Sequence, residues 1–239
     1  MKAVNEKKSG LPGWKRVLDV GVIFLALPVL LPLAMVVVVI IRATSSGPVL
    51  FRQERIGYRG RPFMCFKFRT MHCGSDTGSH QGHLQNLIKS DAPMTKMDLR
   101  GDSRIIPLGK LLRASGLDEL PQLLNVLEGE MSLVGPRPCL PYEAEQYLPW
   151  QLERFDAVPG LTGLWQVSGK NRTTFMQMMQ LDLEYARTKS LWLDLKIMLL
   201  TPQSLLVQLG DLRRPKTLRS QHPGTPVLPL RATNNRFIP

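Results

Sequence analysis

The 239 residues are 44% hydrophobic and 21% charged, with a mean hydropathy of −0.06, which excludes wholesale disorder and a polytopic membrane protein. A surplus of 31 lysines and arginines over 19 acids gives a net charge of +12 and calls for an anionic partner: nucleic acid, lipid headgroups or a phosphorylated substrate. The 3 cysteines, Cys65, Cys73 and Cys139, lack CxxC spacing, so a disulfide scaffold is excluded and a reducing compartment favoured.

The charge is segregated. Residues 1–16 carry five bases and one acid, residues 42–69 seven and one, and residues 211–239 six and one. The stretch 70–210 has a slight acidic excess. Between the first two basic blocks, Val20 to Ile41 runs 22 residues without a charge, the length of a bilayer-spanning helix. A cleaved signal peptide fits poorly, because the run exceeds a normal apolar region and no small-x-small site follows. Positive charge on both flanks is unlike a simple span, and Pro28 and Pro32 interrupt the middle of the helix. A helix bent at Pro28 would enter and leave by one face with both basic flanks on headgroups; a kinked single-pass anchor is the alternative.

Residues 43–48 form a turn cluster. Then VLFRQERIG and RPFMCFKFRTM flank Tyr58-Arg59-Gly60 and predict a hairpin. Residues 72–104 read as a long polar loop with at most one short helix. His72, Cys73, His80 and His83 are close enough in sequence to raise zinc, but the spacing matches no standard site and a solvated loop is the better reading. Residues 105–130 predict a short helix ending near Gly116 and a second starting near Asp118, with Ser115 as its cap and Pro121 in its first turn. Leu120, Leu123, Leu124 and Leu127 then share a face. Residues 132–138 and 158–171 are Gly- and Pro-rich loops. A helix covers 174–188 with Phe175, Met178, Met179 and Leu181 as core. SLWLDLKIMLLTP predicts a helix that is either buried or interfacial, and 210–239 reads as a flexible basic tail.

Asp118-Glu119 are adjacent carboxylates at a predicted helix start, where the dipole keeps them ionised. An ionised aspartate is a nucleophile toward phosphorus, and its neighbour can hold a divalent cation. Arg113 lies just upstream, Arg137 sits in a Pro-Arg-Pro turn, Lys67 and Arg69 end a strand, and Lys170 and Arg172 follow Gly169. Bases converging on a carboxylate pair suit a pyrophosphate substrate, although any one of them read alone is an ordinary surface charge.

The ordered series KRVLDV, SSGPVLFRQERIG, FKFRTM, LDELPQLLNVLEGEMSLVGPRP, VPGLTGLWQVSGKN, LDLEY and SLWLDLKI, over about residues 14–202, resembles the bacterial sugar transferase family, the monotopic phosphoglycosyl transferases. The resemblance implies an α+β, predominantly helical fold. Its parts would be a basic segment (1–16), a re-entrant membrane helix (17–42) broken at Pro28, a catalytic domain (43–209) with a small β-hairpin and interfacial helices, and the tail (210–239). It implies transfer of a sugar-1-phosphate from a UDP-sugar to polyprenyl (undecaprenyl) phosphate, releasing UMP, on the cytoplasmic face of the bacterial inner membrane among anionic lipids. Asp118 would be the nucleophile, Glu119 the Mg²⁺ ligand, and Arg113 and Arg137 the phosphate contacts. The Trp165–Asn171 loop matches a nucleotide- and phosphate-binding segment. There the family usually has SGRN where this chain has SGKN, so Lys170 keeps the charge without the bidentate fork, and Arg172 is the candidate to compensate. A silent scaffold of the same fold is argued against by the intact dyad. Nucleic-acid binding is argued against by the lack of a recognition motif. The sugar and the oligomeric state are not legible.

Overall fold

The computed structural model describes residues 10–74, 78–90, 92–94, 102 and 104–213. The tail beyond 213 and the His80 side chain lie outside the described residues. The described residues are mostly helical with two small two-stranded sheets.

Helix α1, Gly13–Thr44, runs 32 residues with Pro28 and Pro32 inside it. By length and composition it is apolar enough to cross a membrane, with a mean hydropathy of 3.0 over its best window. Only its ends are buried. Lys15, Asp19 and Ile23 enter the body at one end and Val37 and Ile41 at the other, while Leu25 and Val29 between them are 83% and 70% exposed.

The N-terminal end is held by polar contacts. Lys15 pairs with Asp194 and donates to the Tyr185 hydroxyl at 3.0 Å. Arg16 donates to the carbonyls of Val126 and Leu127, and Asp19 accepts from the Leu133 amide. The other end packs with Phe68, Ile106 and Leu112, and Leu117 and Leu120 lie against the same cluster.

Strands β1 (Leu50–Ile56) and β2 (Pro62–Phe68) form the predicted antiparallel hairpin, in register from Leu50 opposite Phe68 to Ile56 opposite Pro62. The Tyr58–Gly60 turn places Arg59 at φ 55, a left-handed conformation. A helix, α2 (Gly78–Lys89), occupies part of the expected loop. Among the described residues no group of three His, Cys, Asp or Glu side chains could hold a metal ion.

Two sequence expectations change around the carboxylate pair. Helix α3 is Gly109–Ser115 and α4 is Gln122–Glu128, and Asp118 and Glu119 sit between them in a single 3-10 turn, Leu117–Glu119. Ser115 caps nothing beyond itself. As the last residue of α3 it donates to the carbonyls of Leu111 and Leu112 at 2.9 and 3.1 Å, the back-bonding that short hydroxyl side chains make within a helix. The predicted leucine face is split: Leu123 packs against the main core and Leu120 against the smaller cluster, whereas Leu124 and Leu127 are exposed and Gln122, Asn125 and Val126 are buried.

The two loops at 132–138 and 158–171 contain a short parallel pair, β3 (Ser132–Val134) with β4 (Gly160–Thr162). The backbones pass so closely that a Cβ at Gly160 would stand 2.0 Å from the Gly135 nitrogen, and one at Gly135 would stand 2.2 Å from the Val158 carbonyl. The glycines that signalled loops are therefore what lets these segments pair.

After α5 (Pro141–Ala144) and α6 (Leu164–Val167), α7 spans Phe175–Thr188 and is capped by Thr174, whose hydroxyl accepts from the Gln177 amide. Its Phe175, Met178, Met179 and Leu181 enter the main core with Cys65, Val126, Met131, Trp165 and Ile197. Helix α8, Leu191–Arg213, continues through Pro202 and takes in residues 210–213, which the sequence assigned to the tail. It is both buried and exposed: Asp194 and Ile197 are fully buried, whereas Trp192 and Leu199 face outward.

Candidate functional site

The carboxylate pair is built on a stiff corner. Gly116, at φ 75, turns the chain out of α3, the Glu119 amide donates to the Gly116 carbonyl at 3.0 Å, and Pro121 leads into α4 at φ −62. Asp118 is buried within this corner and Glu119 is half-buried. Strand β2 lies alongside because Asn125 replaces a missing strand neighbour: its Oδ1 accepts from the Phe66 amide at 3.1 Å and its Nδ2 donates to the Met64 carbonyl at 2.8 Å. That registry brings the Lys67 ammonium to 2.7 Å from Glu119 Oε1.

A second cation arrives from the loop after α6. Trp165 Nε1 donates to Thr173 Oγ1 at 2.6 Å, and that hydroxyl donates to the Lys170 carbonyl at 2.7 Å. The loop is closed on itself, with Lys170 at φ 46. Burial pushes the Lys170 ammonium below its ordinary value, Glu119 and Asp118 oppose the shift, and Lys67 and Arg137 add to it. Lys170 therefore lies within the field of both carboxylates and of two further bases.

Arg137 is half-buried and donates to Glu143 Oε2 at 3.1 Å. Burial opposes ionisation of Glu143, but Arg137, Arg55 and Arg154 hold its carboxyl below the ordinary value. Arg113 occupies the last turn of α3 and acts on Asp102, whose carboxyl is held at about 2, chiefly by its hydrogen bonds from Arg104.

The remaining two bases are engaged elsewhere. Arg69 donates to Pro48 O at 2.6 Å, Ser45 Oγ at 2.9 Å and Ser45 O at 3.1 Å, fastening the turn after α1. Arg172 makes two 3.1 Å bonds to the Asp211 carboxylate, joining the Lys170 loop to α8. The structure thus gathers Asp118, Glu119, Lys67 and Lys170, with Arg137 in electrostatic range, and leaves Arg69 and Arg172 on structural partners.

Asn125, Glu143, Arg55 and Arg154 were not picked out from sequence. The available signal was a polar residue inside an apolar helix pattern, as at Asn125 between Leu124 and Val126. Chemically, two adjacent carboxylates are hard oxygen donors of the kind that share Mg²⁺ with substrate phosphates, and Lys67 already places one cation against Glu119.

The family described as bacterial sugar transferase matches residues 11–208. The chain is 44% identical over 200 residues to the UDP-glucose:undecaprenyl-phosphate glucose-1-phosphate transferase of Caulobacter vibrioides, covering 80% of this chain and 69% of that protein. It is 37% identical over 197 residues to the exopolysaccharide production protein ExoY of Sinorhizobium fredii, covering 82% and 87% respectively. The undecaprenyl-phosphate galactose phosphotransferase of Salmonella typhimurium is 39% identical over 168 residues, of which the match covers only 34% of the longer Salmonella protein. With its motifs in order and the match running nearly from α1 through α8, the chain belongs to the bacterial sugar transferases.

Proposed function

We propose that this protein transfers a sugar-1-phosphate from a UDP-sugar to polyprenyl phosphate (undecaprenyl phosphate in bacteria), as the first membrane step of polysaccharide or glycoconjugate assembly. The observation that carries the reading is the Asp118-Glu119 corner facing Lys67 and Lys170. A carboxylate nucleophile there is surrounded by the cations that a pyrophosphate needs.

An Asp118 oxygen forms a bond to the β-phosphorus while the bond from that phosphorus to the oxygen bridging to the α-phosphorus breaks. UMP leaves with that oxygen, and the sugar-phosphoryl group remains on Asp118. An oxygen of the polyprenyl phosphate then attacks the same phosphorus and returns Asp118 to a free carboxylate. Lys67, Lys170 and Arg137 orient the phosphates and spread their charge. Glu119, with Asp118 beside it, would hold Mg²⁺, which when bound neutralises phosphate charge. One phosphate pocket serves both substrates in turn, which is ping-pong kinetics.

The lipid substrate explains the anchor. We read α1 as re-entrant, bent near Pro28 and Pro32, on the cytoplasmic face of the inner membrane. Along a straight helix Arg16 and Ile41 would stand about 37 Å apart, whereas the Leu117–Leu127 segment that they flank is under about 20 Å long. Both ends bury into one body, and a body on one side of the bilayer cannot receive both ends of a spanning helix. The exposed Leu108, Leu111, Leu124 and Leu127 beside the carboxylate corner supply an apolar face at the headgroup plane.

The direct test is UMP release from a panel of UDP-sugars in the presence of polyprenyl phosphate. No release from any member would leave only a silent scaffold. For topology, cysteines introduced at Asn5 and Ser46 are expected to react with an impermeant maleimide from the same membrane face; labelling from opposite faces would make α1 a span. Lys170 predicts a pH effect. Its lowered pKa means that the ammonium is lost at a lower pH than in an ordinary lysine, so kcat/KM falls early on the alkaline side. Lys170→Arg, which stays protonated, should move that limb to higher pH in a profile taken from about pH 7 to 10; an unmoved limb would show that Lys170 does not set it.

A further inference from the structure

Pro136-Arg137-Pro138 is a turn that cannot hold itself. Each proline fixes φ but lacks an N–H, so the peptide planes can be fastened chiefly through their carbonyls. Four successive carbonyls are fastened, each by a different part of the chain. Pro136 O accepts from the Gly160 amide at 2.9 Å and Cys139 O from the Ile56 amide at 2.9 Å. Between them, Arg137 O accepts from Arg154 Nη2 at 2.7 Å, and Pro138 O accepts from Arg55 Nη1 at 3.1 Å.

The two side-chain donors are costly to place. Arg154 is 1% exposed and Arg55 8%. Arg154 is compensated by Asp182 and by the Tyr147 hydroxyl, and Arg55 by Gln53 at 2.7 Å. Buried ion pairs add little stability over apolar packing of the same volume, so stability alone does not account for two buried guanidiniums on one turn.

We infer that Arg55 and Arg154 are positioning residues that set the direction of Arg137. Fixing the planes at 137 and 138 fixes the Cα–Cβ vector of Arg137, and buried Glu143 then aims the guanidinium from the side at 3.1 Å. The result is one half-buried arginine delivered to the pyrophosphate without rotamer search, an arrangement in which a displacement of about 1 Å costs on the order of 10²-fold in rate. The inference rests on the phosphate role proposed for Arg137.

A double-mutant cycle tests it. Arg154→Lys and Arg55→Lys keep the charge but lose the fork, and each should lower kcat/KM about tenfold in the otherwise wild-type enzyme. In an Arg137→Ala background the same changes should cost less than about twofold, because nothing remains to aim, while their effect on Tm is the same in both backgrounds. Equal losses in both backgrounds would overturn the positioning role. Wild-type kcat/KM in Arg137→Ala itself would overturn the phosphate role and the inference with it. If Arg154→Lys fails to fold, Arg55→Lys, whose bond to the turn goes to the Pro138 carbonyl, completes the cycle.

Discussion

Asp118→Asn is expected to reduce UMP release by a factor of about 10³ or more, with Tm within about 1 °C of wild type. The amide has nearly the shape of the carboxylate, and the Leu117–Glu119 turn is closed by backbone bonds to Gly116 and Leu117 that the substitution leaves alone. What disappears is the only change the mechanism needs, an oxygen able to bond to phosphorus. The measurement that isolates it omits the lipid acceptor: wild-type enzyme should release about one equivalent of UMP per active site as the phosphosugar accumulates, and Asp118→Asn none. Turnover like that of wild type by the variant would sink the nucleophile assignment while leaving the fold untouched. Glu119→Gln provides the contrast. It removes charge from the partner of Lys67 but leaves Asp118 in place, so activity should fall without loss of the one-equivalent burst.

Lys15→Met is expected to lower stability by about 3–5 kcal/mol. Lys15 and Asp194 are 3% and 0% exposed, so the variant strands a carboxylate in the interior. Tyr185, whose hydroxyl donates to Asp194 Oδ1 at 2.7 Å, remains as a hydroxyl partner. The cluster joins the base of α1 to α7 and α8, and Asp19 one turn along α1 fastens the same base to β3 at 3.2 Å. Thermal unfolding of the protein in lipid nanodiscs should show the loss as a Tm drop of roughly 10 °C. Adding Asp194→Leu to Lys15→Met should recover much of it, because removing both charges costs far less than removing one. A single-variant Tm within 2 °C of wild type would show that the ion pair is not what docks the anchor.

Several features could be read from sequence because their signals are local. The hairpin was legible from two β-rich runs around Tyr58-Arg59-Gly60. Helix α7 was legible from the 3.6 spacing of Phe175, Met178, Met179 and Leu181, and α1 from 22 uncharged residues. Each needs only near neighbours to declare itself. The carboxylate pair was legible only through the motifs around it, since adjacent acids are routine at helix starts. The leucine face at 120–127 was half legible, because Leu120 and Leu123 pack inward while Leu124 and Leu127 stay exposed and Asn125 is buried to serve β2. The β3–β4 pair was unreadable for a related reason: glycines that mark loops locally are also what two close backbones require.

The sequence by itself determined that this protein has an apolar segment in basic flanks, a near-neutral body and a family-specific dyad; these follow from composition, period and motif order. Only the tertiary structure decided which bases stand beside that dyad. Lys67 comes to it from β2 and Lys170 from the loop after α6, Arg69 and Arg172 are drawn off by Ser45 and Asp211, and Arg55 and Arg154 hold the carbonyls at Pro138 and Arg137. A guanidinium looks the same in a sequence whether it meets a phosphate, a carboxylate or a carbonyl. Its role is fixed by the group that folding places within about 3 Å of it.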